Sequence, residues 1–325
     1  MQDAEIRDIQ RHSALMRGLA DIRLVQAIEG SGAGGRLLEV RTPTGLSFDI
    51  ALDRGGDILR LAWKGSEIGW HSAVAGKTPW PTADAEEGLG FLRGFDGFLV
   101  TCGLDHHGVP TTSSADAFNY PLRERNHHPL HGRIYGQQAE LVTRHIDWTA
   151  GEIVICLTVR QATVFGEVLE LDRTITAGLK TPSLSLRDTV TNRGFRPTRH
   201  GILYHFNLGY PMLSPQARLL GASWPLVDRL DEANAQPADD HVEIVNVDTS
   251  PNDGVLGIRN TKIGLAMILR FDSQVLPCTA LWRAFQSGVY ALGIEPQTIL
   301  SDNADDLLAA GASCTYNLAW EFLDQ

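Results

Sequence analysis

"EIVICLTVRQATVFGEVLELDRTITAGLKTPSLSLRDTVTN", residues 152–192, carries three successive runs in which apolar and polar side chains alternate with period two. In the first run Ile153, Ile155, Leu157 and Val159 fall on one face of an extended chain, because alternate side chains of a strand point to opposite sides. Only short breaks separate the runs, so the segment predicts an antiparallel meander with one buried face. The same pattern extends outward in both directions. Towards the N-terminus, "GRLLEVRTPTGLSFDIALDRGGDILRLAWKG" (35–65) is punctuated by Pro-Thr-Gly and Arg-Gly-Gly-Asp turns. Towards the C-terminus, "KIGLAMILRF", "GVYALGIEP" and "CTYNLAWEFL" repeat it. Many short strands with few helical windows predict an all-β protein, a large antiparallel β-sandwich.

Residues 4–20 depart from this period. Ile6, Ile9, Leu15, Met16 and Leu19 recur at spacings near three and four, which predicts a short amphipathic helix packed at the edge of the sandwich. No repeat, low-complexity tract or linker divides the rest. The reading is one domain over residues 1–325, with residues 1–20 as a helical extension. Two stretches, 73–90 and 231–243, are rich in Pro, Ala and Asp and are read as long loops at a rim.

The 325 residues carry a formal net charge of −11, which opposes binding to phosphate backbones and anionic membranes, since such binding draws on Lys and Arg. Nucleic acid and membrane are not expected partners. Cys102, Cys156, Cys278 and Cys314 are widely spaced with no CxxC pair, the pattern of reduced thiols rather than of a disulfide framework or zinc knuckle. The N-terminus lacks the basic and apolar regions of an export signal, so a cytoplasmic location is expected.

Six of the eleven histidines fall in three motifs: "TCGLDHHG" (101–108), "NHHPLHG" (126–132) and "YHFNLGYP" (204–211). A fourth motif, "GIEPQT" (293–298), places Glu295 between apolar residues. A metal site of the cupin kind would use histidines with a glutamate. Adjacent histidines on an extended segment point to opposite faces, however, so neither His106 with His107 nor His127 with His128 readily shares one ion. Acid/base chemistry asks for less: one histidine, whose pKa lies near neutrality, and one carboxylate, with polar groups to hold a substrate between them. Glu295 suits a base, because a carboxylate in an apolar strand is rarely placed without a partner or a task. Pro296 is expected to end that strand and leave Glu295 at its rim. Trp80 and Trp282 are read as core or as platforms for a ligand.

These residues resemble the aldose 1-epimerases, the galactose mutarotase-like superfamily, in a branch without an assigned substrate. "LHGRIYG" is similar to the family's Leu-His-Gly motif, "YHFNLGYP" to its histidine-bearing strand, and "GIEPQT" to the segment with its catalytic glutamate. The resemblance spans roughly residues 20–322 and implies the mutarotase-like supersandwich. It also implies a reaction without metal or cofactor, the interconversion of α and β anomers of a free monosaccharide by ring opening. On that resemblance Glu295 is the base, His205 the acid, and His131 binds the sugar near its ring oxygen. Arg93, Asp105, His107, Asn207 and Gln286 are the substrate-binding candidates, although the family's Asn-Arg pair is not present at Arg93 and its binding aspartate has no clear counterpart. A homodimer is compatible with this reading. Two other classes stay open: a non-catalytic carbohydrate-binding protein of the same fold, and a metal-dependent cupin-like sugar isomerase.

Overall fold

The computed structural model describes residues 3–115, 124–221, 242–249, 253–301 and 306–325. The loop read at 231–241 therefore lies outside the described residues, and the segment's last two positions begin a strand. The meander of the opening stretch forms as expected, with strands Ala139–Asp147, Glu152–Ala162, Val168–Gly178 and Ser183–Asn192 paired antiparallel in sequence order. They make half of an eight-stranded sheet. Ser313–Asp324, Leu265–Phe271, Val255–Asn260 and Ala217–Leu220 complete it.

A five-stranded sheet packs against it, in the order Val242–Asp248, Cys278–Ala284, Ala291–Gln297, Gly201–Leu208 and Leu99–Leu104. A second five-stranded sheet, formed by strands between Asp21 and Glu67, runs in simple sequence order. All these pairings are antiparallel.

The alternation does what the period-two pattern requires. Ile153, Ile155, Leu157 and Val159 are buried in the main core. Opposite them, the Gly201–Leu208 strand turns Tyr204, Phe206 and Leu208 inward, with Phe206 edge-on to Trp320 at 4.9 Å between ring centres. Its other face carries Leu203, His205 and Asn207. That face is also buried, because a second apolar cluster containing Trp70, Trp80, Phe91, Phe95 and Tyr135 lies over it.

One charged group is embedded between the sheets. Arg173 is fully buried and donates to both oxygens of Asp188 at 2.9 and 2.7 Å, to Asp57 at 2.8 Å and to the Thr101 hydroxyl at 2.7 Å. Tyr204 adds a hydrogen bond to Asp188 at 2.9 Å. A buried guanidinium is tolerated only when its donors are satisfied in this way.

Two expectations need correction. The N-terminal helix ends at His12, and only a separate 3-10 turn forms at Met16–Gly18. The Ser13 hydroxyl bonds the Leu15 carbonyl across an extended Leu15, a local alternative to the helical bond that serine favours. The strand holding Glu295 does not end at Pro296 either; it continues to Gln297 with Pro296 opposite Thr279. Glu295 sits inside the sheet rather than at a rim.

Candidate active site

Proline has no N–H to give to a ladder, and the pairing around Pro296 reflects this. Between the two strands the register pairs Leu203 with Gln297, then resumes at Phe206 with Ile294. Counting across the gap sets His205 opposite Glu295. Cross-strand neighbours project to the same face, so two residues ninety positions apart become side-by-side groups on the outer face of the sheet. His205 Nε2 lies 3.1 Å from Glu295 Oε1.

Gly293 makes the pair possible. It stands two residues before Glu295 on the same face, opposite Trp282 and Asn207. A Cβ there would lie 2.9 Å from Glu295 Oε1, 2.9 Å from His205 Cε1 and 3.1 Å from Trp282 Cβ. Its backbone angles suit any L residue, so only space demands glycine. Gly293→Ala is expected to keep the melting temperature within a few degrees; if the pair is catalytic, it lowers turnover by about 10²-fold, the cost of displacing such groups by about an ångström. Calorimetry alongside a rate measurement checks both halves.

His131 reaches the pair from a loop. It adopts left-handed backbone angles, with φ at 60°, and Gly132 follows at 74°. Such a conformation costs a non-glycine residue about 1–2 kcal/mol. It is held by backbone bonds from His131 N to Gly108 O at 2.8 Å and from Gly103 N to His131 O at 3.0 Å. At Gly132 any Cβ would stand 2.3 Å from the carbonyls of Gly103 and His106, which is the physical reason a glycine follows the histidine. The His131 ring lies 5.5 Å from His205 and 4.7 Å from Phe91. Phe95 and Trp282 close around His205 at 4.8 and 5.5 Å.

Enclosure sets the electrostatics. Burial pushes the Glu295 carboxyl up to about 8, and burial pulls His205 down to about 3 against a small opposing contribution from Asn207. His131 is held well below the ordinary value by burial, then by His205 and His106. Burial likewise lowers His106 to about 4 and His107 to about 3. Desolvation disfavours whichever form is charged. At neutral pH the floor is therefore a set of neutral imidazoles beside a carboxyl that retains its proton. Among the described residues, His131 Nδ1, His205 Nδ1 and Asn207 Oδ1 are buried and lack a hydrogen-bond partner. Buried polar atoms are rarely left so, and a cluster of them suits a ligand rich in hydroxyl groups.

The candidates of the sequence thus separate. Glu295, His205, His131 and Asn207 come together, with His107 beside them, its Nε2 3.3 Å from Thr298 Oγ1. Asp105 is buried one step away, its two oxygens engaged by His128 at 2.9 Å and Gln161 at 2.6 Å. Gln286 lies in the turn after the Trp282 strand, its carbonyl accepting from Val289 and Tyr290; that turn is pinned by Trp70 Nε1 to Val289 O at 2.6 Å. Arg93 is exposed and paired with Glu86 at 2.7 Å.

Trp80 is core: its ring packs on Tyr135 at 4.5 Å between centres, with the Arg54 guanidinium 4.1 Å from its own centre. Gly293, Phe91, Phe95, Trp70 and Tyr135 were not among the candidates. Only strand register and loop packing reveal them. Among the described residues, no three His, Cys, Asp or Glu side chains are placed to hold one metal ion.

A family model described as a domain of unknown function, DUF4432, matches residues 32–317. No functionally curated protein matches the chain. Solved structures do. A Klebsiella pneumoniae protein provisionally named an aldose 1-epimerase aligns with a TM-score of 0.79 at 24% identity, over 94% of this chain and 83% of that one. A galactose mutarotase-like protein from Clostridium acetobutylicum gives 0.64 at 13%, over 95% and 100%. A galactose 1-epimerase from Lactobacillus acidophilus gives 0.60 at 12%, over 94% and 99%. At these identities the likeness establishes the fold alone, a galactose mutarotase-like supersandwich.

Proposed function

The chain belongs to the DUF4432 family, whose description names no activity, and from that premise we propose that it is an aldose 1-epimerase acting on a free monosaccharide. The observation that carries this reading is the His205–Glu295 contact of 3.1 Å on the buried outer face of the sheet. Ring opening needs a proton removed from the anomeric hydroxyl and another delivered to the ring oxygen, and reclosure needs the reverse. Glu295 takes the first proton and His205 gives the second. Reclosure on the other carbonyl face restores both groups and yields the other anomer. His131 binds near the ring oxygen, and Asn207 and His107 hold hydroxyl groups.

The pair requires one proton between its two members. Transfer from Glu295 to His205 across the contact generates the carboxylate and imidazolium that opening needs, once substrate hydroxyls solvate them. The pH dependence follows with a definite sign. Between about 3 and about 8 the pair holds one proton, and exchange is expected to be flat. Above about 8 that proton is lost, no acid remains for the ring oxygen, and the rate falls. At the acid end a second proton removes the base. Exchange NMR across this range on the best sugar checks the profile; a rate still rising above pH 9 contradicts it.

NMR observation of anomer exchange over a panel of aldoses, deoxy sugars and sugar phosphates tests the function. Acceleration of at least one neutral sugar supports it. Binding without acceleration favours a carbohydrate-binding protein of the same fold, and activity abolished by chelator and restored by a divalent ion favours the cupin-like isomerase.

A further inference from the structure

A second set of proton-transfer groups lies outside the Glu295–His205 pair, on the hairpin of Thr111–Ser114 and Arg125–His128. The register sets Thr111 opposite His128 and Ser113 opposite Asn126. Ser113 and His128 are therefore diagonal neighbours on one face. Ser113 Oγ is 2.8 Å from His128 Nε2, and His128 Nδ1 is 2.9 Å from Asp105 Oδ2. Asp105 is fixed in turn by Gln161 Nε2 on Oδ1 at 2.6 Å, with Arg133 Nη1 3.7 Å from Oδ2.

Asp105 sets the direction of the inner bond. Burial by itself would raise the Asp105 carboxyl, yet His128, Arg133 and Gln161 hold it down at about 2. It is ionised and can only accept. Nδ1 of His128 donates to it, and in the neutral tautomer that carries this proton Nε2 accepts from the Ser113 hydroxyl. His128 and Asp105 are buried while Ser113 is half-buried, so the hydroxyl lies at the outer end of a shielded relay. Asn126 shares that face, and its Nδ2 makes a single long contact of 3.4 Å to the Ser114 carbonyl among the described residues.

We propose that Ser113 is the nucleophile of a second catalytic centre, with His128 as general base and Asp105 orienting it, that hydrolyses short-chain carboxylic esters. Ser113 Oγ bonds to the ester carbonyl carbon while its proton passes to His128 Nε2. The tetrahedral oxyanion is stabilised by the Asn126 amide. Collapse breaks the bond to the alcohol oxygen, which leaves with the proton from Nε2. Water then attacks the acyl-serine, gives its proton to Nε2, and Ser113 departs with it, so that ester and water become acid and alcohol without redox change. The centre uses none of the residues assigned to anomer exchange; Asp105, a sugar-ligand candidate on the sequence, is engaged by His128 and Gln161 instead.

The test treats the full-length folded protein with a fluorophosphonate probe, maps the adduct by peptide mass spectrometry, and follows p-nitrophenyl acetate hydrolysis. The expected result is one adduct, on Ser113. It is lost in Ser113→Ala, kept in Ser114→Ala, and slowed about 10²-fold or more in His128→Gln, the contribution of a general base. Ser113→Ala removes only a half-buried hydroxyl, and its melting curve establishes that it folds. No adduct on Ser113, or labelling of Ser113 at the wild-type rate in a folded His128→Gln variant, overturns the proposal.

Discussion

On the proposed function, Glu295→Gln is expected to slow anomer exchange by about 10²–10⁴-fold, the range for loss of a general base. The carboxamide keeps the shape of the side chain and can still meet His205 Nε2, so sugar affinity changes little and the loss falls on turnover. His205→Ala gives a reduction of the same order by removing the acid, and the double variant is hardly slower than either single one, since the two groups act as a unit. Exchange NMR at pH 7 with matched sugar titrations separates turnover from binding. Wild-type exchange in both single variants refutes the assignment, and unchanged affinity in a wild type that never turns over leaves a binding protein.

The second large effect is on stability. Arg173→Met removes the only cation that faces both Asp57 and Asp188 in the described core contacts. Asp57 and Asp188 then both lose the cation they bond between the sheets, and breaking a buried pair from one side costs about 3–5 kcal/mol. The urea midpoint should fall accordingly at pH 7. The deficit should shrink in acid, because burial already raises Asp57, and protonation relieves the unpaired charge. A variant with an unchanged midpoint contradicts the role given to Arg173. The loss should also reach the site, since Tyr204 precedes His205 on its own strand and Thr101 holds the cluster from the neighbouring one.

The strands were legible because their signal is local. Ile153 to Val159 alternate within one run, and turn residues mark its ends, so the meander and the sandwich could be read without knowing any partner. The helix boundary was less legible: Leu15 and Leu19 kept a helical spacing, but Leu15 is extended and largely exposed. The active-site geometry depends on pairings that periodicity does not encode. Nothing local says that His205 stands opposite Glu295, or that Gly293 clears space for both. Pro296 gave a signal whose reading was inverted. It marks a missing hydrogen bond within a continuing strand, where a strand end was expected. Asp105 illustrates the same limit, since its partners His128 and Gln161 lie 23 and 56 positions away.

The register that joins His205 to Glu295 has a consequence for how such a protein can change. A slip of one residue in either strand would turn His205 or Glu295 into the main core and an apolar side chain outward, so selection on folding alone preserves the alignment of the pair. The surfaces above them are connected differently: Phe91, Phe95, Trp70 and the Gln286 turn come from connecting segments whose length and composition can drift at modest energetic cost. The fixed pair and the adjustable roof are thereby lodged in separate parts of one chain, and on the proposed function a new sugar is accommodated by altering the roof while the floor is left as it is.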